Sequence, residues 1–182
     1  AGPERRSLVI SEKERHIVAL HEAGHALVGI RLPNAPQLEK VTILPRAFSL
    51  GHTSVMPEED RYMITRSEIL DRIVQGLGGR AAEELVLGDV TTGAANDLEQ
   101  VTEMARRMVT EYGMSEELGP LQYGKKHGPI FLARELSEER NYSEEVARTI
   151  DREVRRIVDE SYRKALEILT VDRDKLDALT QA

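Results

Sequence analysis

His21-Glu22-Ala23-Gly24-His25 is an H-E-x-x-H pentad. On a helix, residues i and i+4 lie about 40° apart, so both imidazoles leave one face and can grip one metal ion. Glu22 lies about 100° round from His21, close enough to reach a water at that ion without ligating it. Two neutral nitrogens for Zn²⁺, an open coordination position and a nearby carboxylate base are the parts of metal-assisted peptide hydrolysis. The sequence has no cysteine, so thiolate ligands are excluded and the remaining donors must be His, Asp or Glu.

A catalytic zinc takes three protein ligands. His16 points away from the pair on its own helix, and His52 and His127 lie in strand and loop contexts without a supporting pattern. Two carboxylates are better placed. Asp97 falls inside the apolar arc Leu98, Val101, Met104, Ala105, Met108 and Tyr112. Its competing role is to compensate the helix N-terminus. Glu84 falls inside the arc Ile69, Leu70, Ile73, Val74, Leu77 and Ala81, whereas Glu83 falls outside it. Glu84 could ligate, accept an imidazole N–H, or pair with Arg80. Spacing alone leaves Asp97 and Glu84 both open.

The elements that must position these groups are mostly helical. Ser11-Glu12-Lys13-Glu14 is a capping box, opening a helix that runs to about Arg31 and stops before Pro33 and Pro36. This helix is apolar nearly all round, which predicts a central position. Gly24 and Gly29 within it suit close approach of another backbone, of substrate, or tight helix packing. Val41–Leu44 and His52–Met56 read as two short strands. A single helix is expected from Thr65 or Ser67 to Leu87, another from about Ala94 to Tyr112, and a long one from Ser143 to about Leu169. Residues 115–133 read mostly as loop, and Asp172–Leu179 as the start of a last helix.

Composition bounds the rest. The 182 residues carry a net charge of −7, with five Tyr, two Phe and no Trp, a poor basis for nucleic-acid binding. No apolar run reaches the roughly 18 residues that span a bilayer, and no G-x-x-x-x-G-K-[ST] loop is present to hold ATP. The chain itself is expected to be soluble.

Several blocks in order carry a resemblance: Val9-Ile10-Ser11-Glu12-Lys13-Glu14, His21-Glu22-Ala23-Gly24-His25-Ala26, Gly78-Gly79-Arg80-Ala81-Ala82-Glu83-Glu84 and Thr91-Thr92-Gly93-Ala94-Ala95-Asn96-Asp97-Leu98. They resemble the signature blocks of the FtsH family, membrane-anchored, ATP-dependent AAA+ zinc proteases of peptidase family M41. The resemblance implies that His21, His25 and Asp97 are zinc ligands and Glu22 the catalytic acid/base, and it leaves Glu84 a structural or supporting role. It also implies that residues 1–182 are the protease domain of a longer protein. The implied fold is mainly α: a zinc-site core over 1–113 with a small β region beside the active site, and a C-terminal helical region over 114–182. Implied partners are unfolded polypeptides and identical subunits in a homohexamer; Gly51–Met56 is the candidate edge strand for pairing with an extended polypeptide, and a simple core hairpin is the alternative reading of that segment. ATP would act only through an AAA+ module outside this chain. Membrane association would likewise lie outside it, with the protease domain on the cytoplasmic side in a bacterium. Two other functions fit the motif less well: a ring scaffold with a structural metal, and a zinc aminopeptidase of different ancestry.

Overall fold

The structure, a computed structural model, describes residues 10–36, 38–42, 52–55, 63–126 and 138–182, and side chains over 10–36, 63–124 and 140–182. It is mainly helical: α1 (Glu12–Arg31), α2 (Arg66–Gly76), α3 (Gly78–Leu87), a 3₁₀ turn (Thr92–Ala94), α4 (Ala95–Thr110), α5 (Glu144–Val171) and α6 (Arg173–Gln181). Between α1 and α2, β1 (Leu38–Thr42) and β2 (His52–Val55) pair antiparallel, with a register irregularity between Leu38 and Lys40. A second pair, β3 (Lys125–Lys126) and β4 (Glu138–Glu139), has two residues per strand. Among the described residues, no helix is long and apolar enough to cross a membrane.

The caps act where the sequence places them. The hydroxyls of Ser11, Thr65 and Ser143 accept from the backbone N–H groups of Glu14, Glu68 and Val146, satisfying donors that a helix start leaves without partners. All ten residues from Leu20 to Gly29 of α1 are buried, as its apolar character requires, while Ile30 is exposed. Tyr112, the last residue of the arc expected on α4, is also largely exposed, because α4 ends at Thr110.

The helix expected to run unbroken to Leu87 is two helices that meet at Leu77. The bend sits in Gly76-Leu77-Gly78-Gly79, where missing side chains let neighbours come close. A Cβ on Gly76 would lie 2.7 Å from a methyl of Val101, and one on Gly78 would lie 2.8 Å from the Gly24 carbonyl oxygen. The approach is mutual: a Cβ on Gly24 would lie 2.3 Å from the carbonyl oxygen of Gly78. Gly24 therefore serves backbone-to-backbone helix packing, and Gly29 makes room for the Gln75 side chain.

Two apolar cores form. One joins Leu20, Leu27 and Val28 of α1 to Ala81 and Ala82 of α3, Leu169 of α5 and Leu176 of α6. The other joins Ile73 of α2, Val101 and Met108 of α4, and Ile150 and Ile157 of α5. The long helix α5 runs through both. Near its start, buried Glu153 accepts from the Ser115 hydroxyl at 2.6 Å and pairs with Arg156 at 2.6 Å, tying the segment after α4 to α5.

Two outcomes test this packing. Gly24→Ala gains roughly 1 kcal/mol of helix propensity but places a methyl inside a backbone contact. We expect a lower thermal midpoint, and a raised one would show that α1 and α3 separate freely. For Glu153, the hydrogen bond from Arg156 outweighs burial and holds the carboxyl below its usual 4.5. A depressed native pKa stabilises the fold above the unfolded-state value, and that contribution disappears as pH falls through the native value. Glu153→Gln should therefore lose less stability than wild type between about pH 5 and pH 3, measured by thermal unfolding.

Candidate metal centre

His21 and His25 stand one turn apart on α1, and Asp97 lies in the first turn of α4. Asp97 Oδ2 is 3.0 Å from His21 Nε2 and 3.3 Å from His25 Nε2, and the two Nε2 atoms are 3.0 Å apart. Tetrahedral ligands at about 2.0–2.1 Å from a zinc ion lie ~3.3–3.4 Å from one another, so the triangle has nearly the size such an ion requires. Among the described residues, these three form the group able to hold a metal ion. The side chain of His52 is not described, His127 lies outside the described residues, and His16 is exposed on the early, solvent-facing part of α1.

The other ring nitrogens are occupied. His25 Nδ1 is 2.8 Å from the backbone carbonyl of Gln75. A carbonyl only accepts, so Nδ1 carries the proton and the Nε2 lone pair of the neutral ring faces the triangle. His21 Nδ1 is 2.8 Å from Glu83 Oε2, a carboxylate acceptor that fixes the ring in the same way. Space for this ring depends on Gly79, where a Cβ would lie 2.4 Å from His21 Nε2. The donor set, two oriented neutral imidazoles and one carboxylate, fits Zn²⁺.

Charge follows the geometry. Burial opposes a charge on His21, but hydrogen bonds and charge from Asp97 and Glu83 outweigh it and raise the imidazole pKa above 6.5. Burial likewise pushes Asp97 up, but without a metal, imidazolium N–H groups of His21 and His25 facing it would outweigh burial and hold the carboxyl well below the usual range. Glu22 is buried on α1 immediately after His21.

The roles of the two adjacent glutamates are the reverse of the sequence expectation. Glu83, placed outside the apolar arc, is completely buried and holds His21. Glu84, placed inside it, is exposed and accepts a hydrogen bond from the Tyr162 hydroxyl of α5. Burial, then the Glu84 carboxylate, raises the Tyr162 pKa, so the phenol stays a donor. The cause is the bend at Leu77. Counting one helical period across it carries the wrong phase into α3, whose own buried set is Gly78, Gly79, Ala81, Ala82 and Glu83. The available clue was the run of small residues flanking Glu83 one turn before it, which marks a close-packed face.

Comparison with known proteins places the chain in a family. The model of peptidase family M41 matches residues 8–182. The chain is 56% identical over 180 residues to ATP-dependent zinc metalloprotease FtsH 3 of Symbiobacterium thermophilum, covering 99% of this chain and 29% of that protein. It is 52% identical over 182 residues to the FtsH proteases of Bacillus subtilis and Thermotoga maritima, covering all of this chain and 29% and 30% of theirs. The chain thus spans about three tenths of the length of these curated relatives.

The exchanged glutamates give a direct test. Glu83→Gln puts an amide where His21 needs an anionic acceptor, and zinc affinity should fall about 10–100-fold. Glu84→Gln should leave it unchanged. Competition with a chromophoric chelator measures both, and the opposite ranking would return the supporting role to Glu84.

Proposed function

The chain belongs to peptidase family M41, and from that premise we propose that it is a zinc-dependent endopeptidase unit in which His21, His25 and Asp97 hold Zn²⁺ and Glu22 is general base and acid. The observation that carries the reading is the convergence of His21 Nε2, His25 Nε2 and Asp97 Oδ2 while both Nδ1 atoms are already bonded. A zinc ion held there supplies Lewis acidity toward water and toward the scissile carbonyl.

The chain's own residues do the remaining work. Glu83 and the Gln75 carbonyl keep the imidazoles in the tautomer that offers Nε2. Asp97 brings one negative charge, leaving a site of net charge +1 with a dication and two neutral rings. Glu22 takes a proton from the attacking water at its carboxylate and returns it to the leaving amine, a role for which general acid–base catalysis contributes about 10²–10⁴-fold. An extended polypeptide would add to the hairpin by main-chain pairing along β2. Of the segment Gly51–Met56 assigned to that role, His52–Val55 is described and its two flanking residues are not.

In the whole protein, this unit would serve a membrane-anchored AAA+ protease that degrades unfolded or unwanted membrane and cytosolic proteins. Six copies would form a ring, with the protease domain on the cytoplasmic side in a bacterium. Residues 1–113 would carry the chemistry and residues 114–182 would brace it and contribute to assembly. ATP would enter through the AAA+ module, whose unfolding work against a stable substrate is of order 5–15 kcal/mol.

Two substitutions separate the roles. Glu22→Gln should bind zinc like wild type and hydrolyse casein at least ~10²-fold more slowly. Asp97→Ala should remain helical by circular dichroism yet lose most bound zinc and all measurable hydrolysis. Wild-type activity in Glu22→Gln would remove that residue from the reaction, and full zinc content in Asp97→Ala would remove Asp97 from the ligand set.

A further inference from the structure

We propose that Thr91 is a positioning residue for the metal centre, its hydroxyl fixing Glu83 against His21 and, with the same oxygen, starting the turn that delivers Asp97. This rests on the reading of His21, His25 and Asp97 as zinc ligands.

Glu83 is a completely buried carboxylate and needs both oxygens satisfied. Oε2 serves His21 Nδ1 at 2.8 Å. Oε1 accepts twice from Thr91, from the hydroxyl at 2.5 Å and from the backbone N–H at 3.0 Å. A hydroxyl has one proton and two lone pairs. With its proton committed to Glu83, Thr91 Oγ1 still accepts from the Gly93 N–H at 3.1 Å. That second bond caps the 3₁₀ turn Thr92–Ala94, which runs directly into α4 and places Asp97 in its first turn. One oxygen is therefore bonded toward two ligands that approach the centre from different helices.

The consequence is specific. The terminal torsion of a glutamate is broad, so the Glu83 carboxylate plane is set by what holds Oε1. Without the hydroxyl, one backbone N–H remains, and the carboxylate can turn away from His21 Nδ1. An N-cap role alone would change helix stability and would not touch His21. Thr91 is half-buried, and valine removes its hydroxyl while keeping the β-branch.

The experiment measures zinc dissociation constants by chelator competition for wild type, Thr91→Val, Thr91→Ser, Glu83→Gln and the Thr91→Val/Glu83→Gln pair, with thermal unfolding of each chelator-stripped protein alongside. Thr91→Ala repeats the comparison without the β-branch, should valine prevent folding. We expect Thr91→Val to weaken zinc binding about 10–100-fold and Thr91→Ser to stay within about threefold of wild type. Valine should add little in the Glu83→Gln background, because both changes break one coupled unit. Wild-type zinc affinity in Thr91→Val, failure of serine to restore it, or losses that multiply in the double variant would each overturn the proposal. A valine variant whose metal-free form melts lower while its zinc affinity is unchanged would make Thr91 a helix cap only. If wild type itself binds zinc no better than His21→Ala does, the zinc-site reading fails. His21-dependent binding that Thr91→Val leaves intact defeats this inference alone.

Discussion

The contact between Gly24 of α1 and Gly78 of α3 sets how near these two helices lie, and the centre is built one turn away from it. Each glycine's missing Cβ is replaced by the other's backbone. One turn back along α1, His21 meets α3 at Gly79, which leaves room for the ring, and at Glu83, which binds it. A larger residue at 24 or 78 would separate the helices and lengthen the 2.8 Å bond between His21 and Glu83. Glycine inside a helix costs about 1 kcal/mol relative to alanine. Burial of Leu20, Ala23, Leu27 and Val28 against Ala81 and Ala82 offsets that cost, because close approach is what lets small side chains pack.

Placing this chemistry inside an apolar core creates an electrostatic problem that the hydrogen bonds resolve. His21, Glu22, His25 and Glu83 are all buried, and Asp97 is partly so. Unpaired, such groups would be strongly destabilising. Glu83 has three donors around it, and His25 has the Gln75 carbonyl, in the last turn of α2 where the backbone bends into α3. The bend at Leu77 thus both turns Glu83 inward and helps supply the acceptor for the second imidazole. In the metal-free protein, Asp97 and Glu83 favour the imidazolium of His21. A dication held by His21 would have to displace that proton, which would couple metal affinity to pH.

The parts of this arrangement legible in the sequence are those governed by local periodicity. The Ser11 capping box sets the start of α1, and the four-residue spacing of His21 and His25 sets their common face. The inward position of Asp97 followed from the arc on α4, although only the resemblance to a known family chose it over Glu84. Glu83 was missed because its neighbours on the packed face are glycines and alanines. Small residues carry little weight in a hydrophobic pattern, yet they permit the closest helix contact. The period counted from Ile69 also runs through Leu77, where the helix bends and the count loses its phase. Gly24 resisted assignment for a related reason: the partner that required it, Gly78, is 54 positions away in the numbering and invisible to local patterns.

The three converging atoms proposed as zinc ligands differ in what fixes them. The separation of His21 and His25 is a property of one helix and survives as long as α1 does. The position of Asp97 is a tertiary property. Its helix belongs to the core with α2 and the first half of α5, whereas α1 belongs to the core with α3, α6 and the second half of α5. The 3.0 Å approach of Asp97 to His21 therefore exists only when both cores have formed on α5 and the link from Glu83 through the 3₁₀ turn is closed. Binding that needs all three ligands favours the state in which both cores are assembled, by an amount that grows with metal occupancy. The proposed chemistry would thereby be confined to the folded molecule, because an unfolded or half-assembled chain keeps the histidine pair and loses the carboxylate proposed to complete the site.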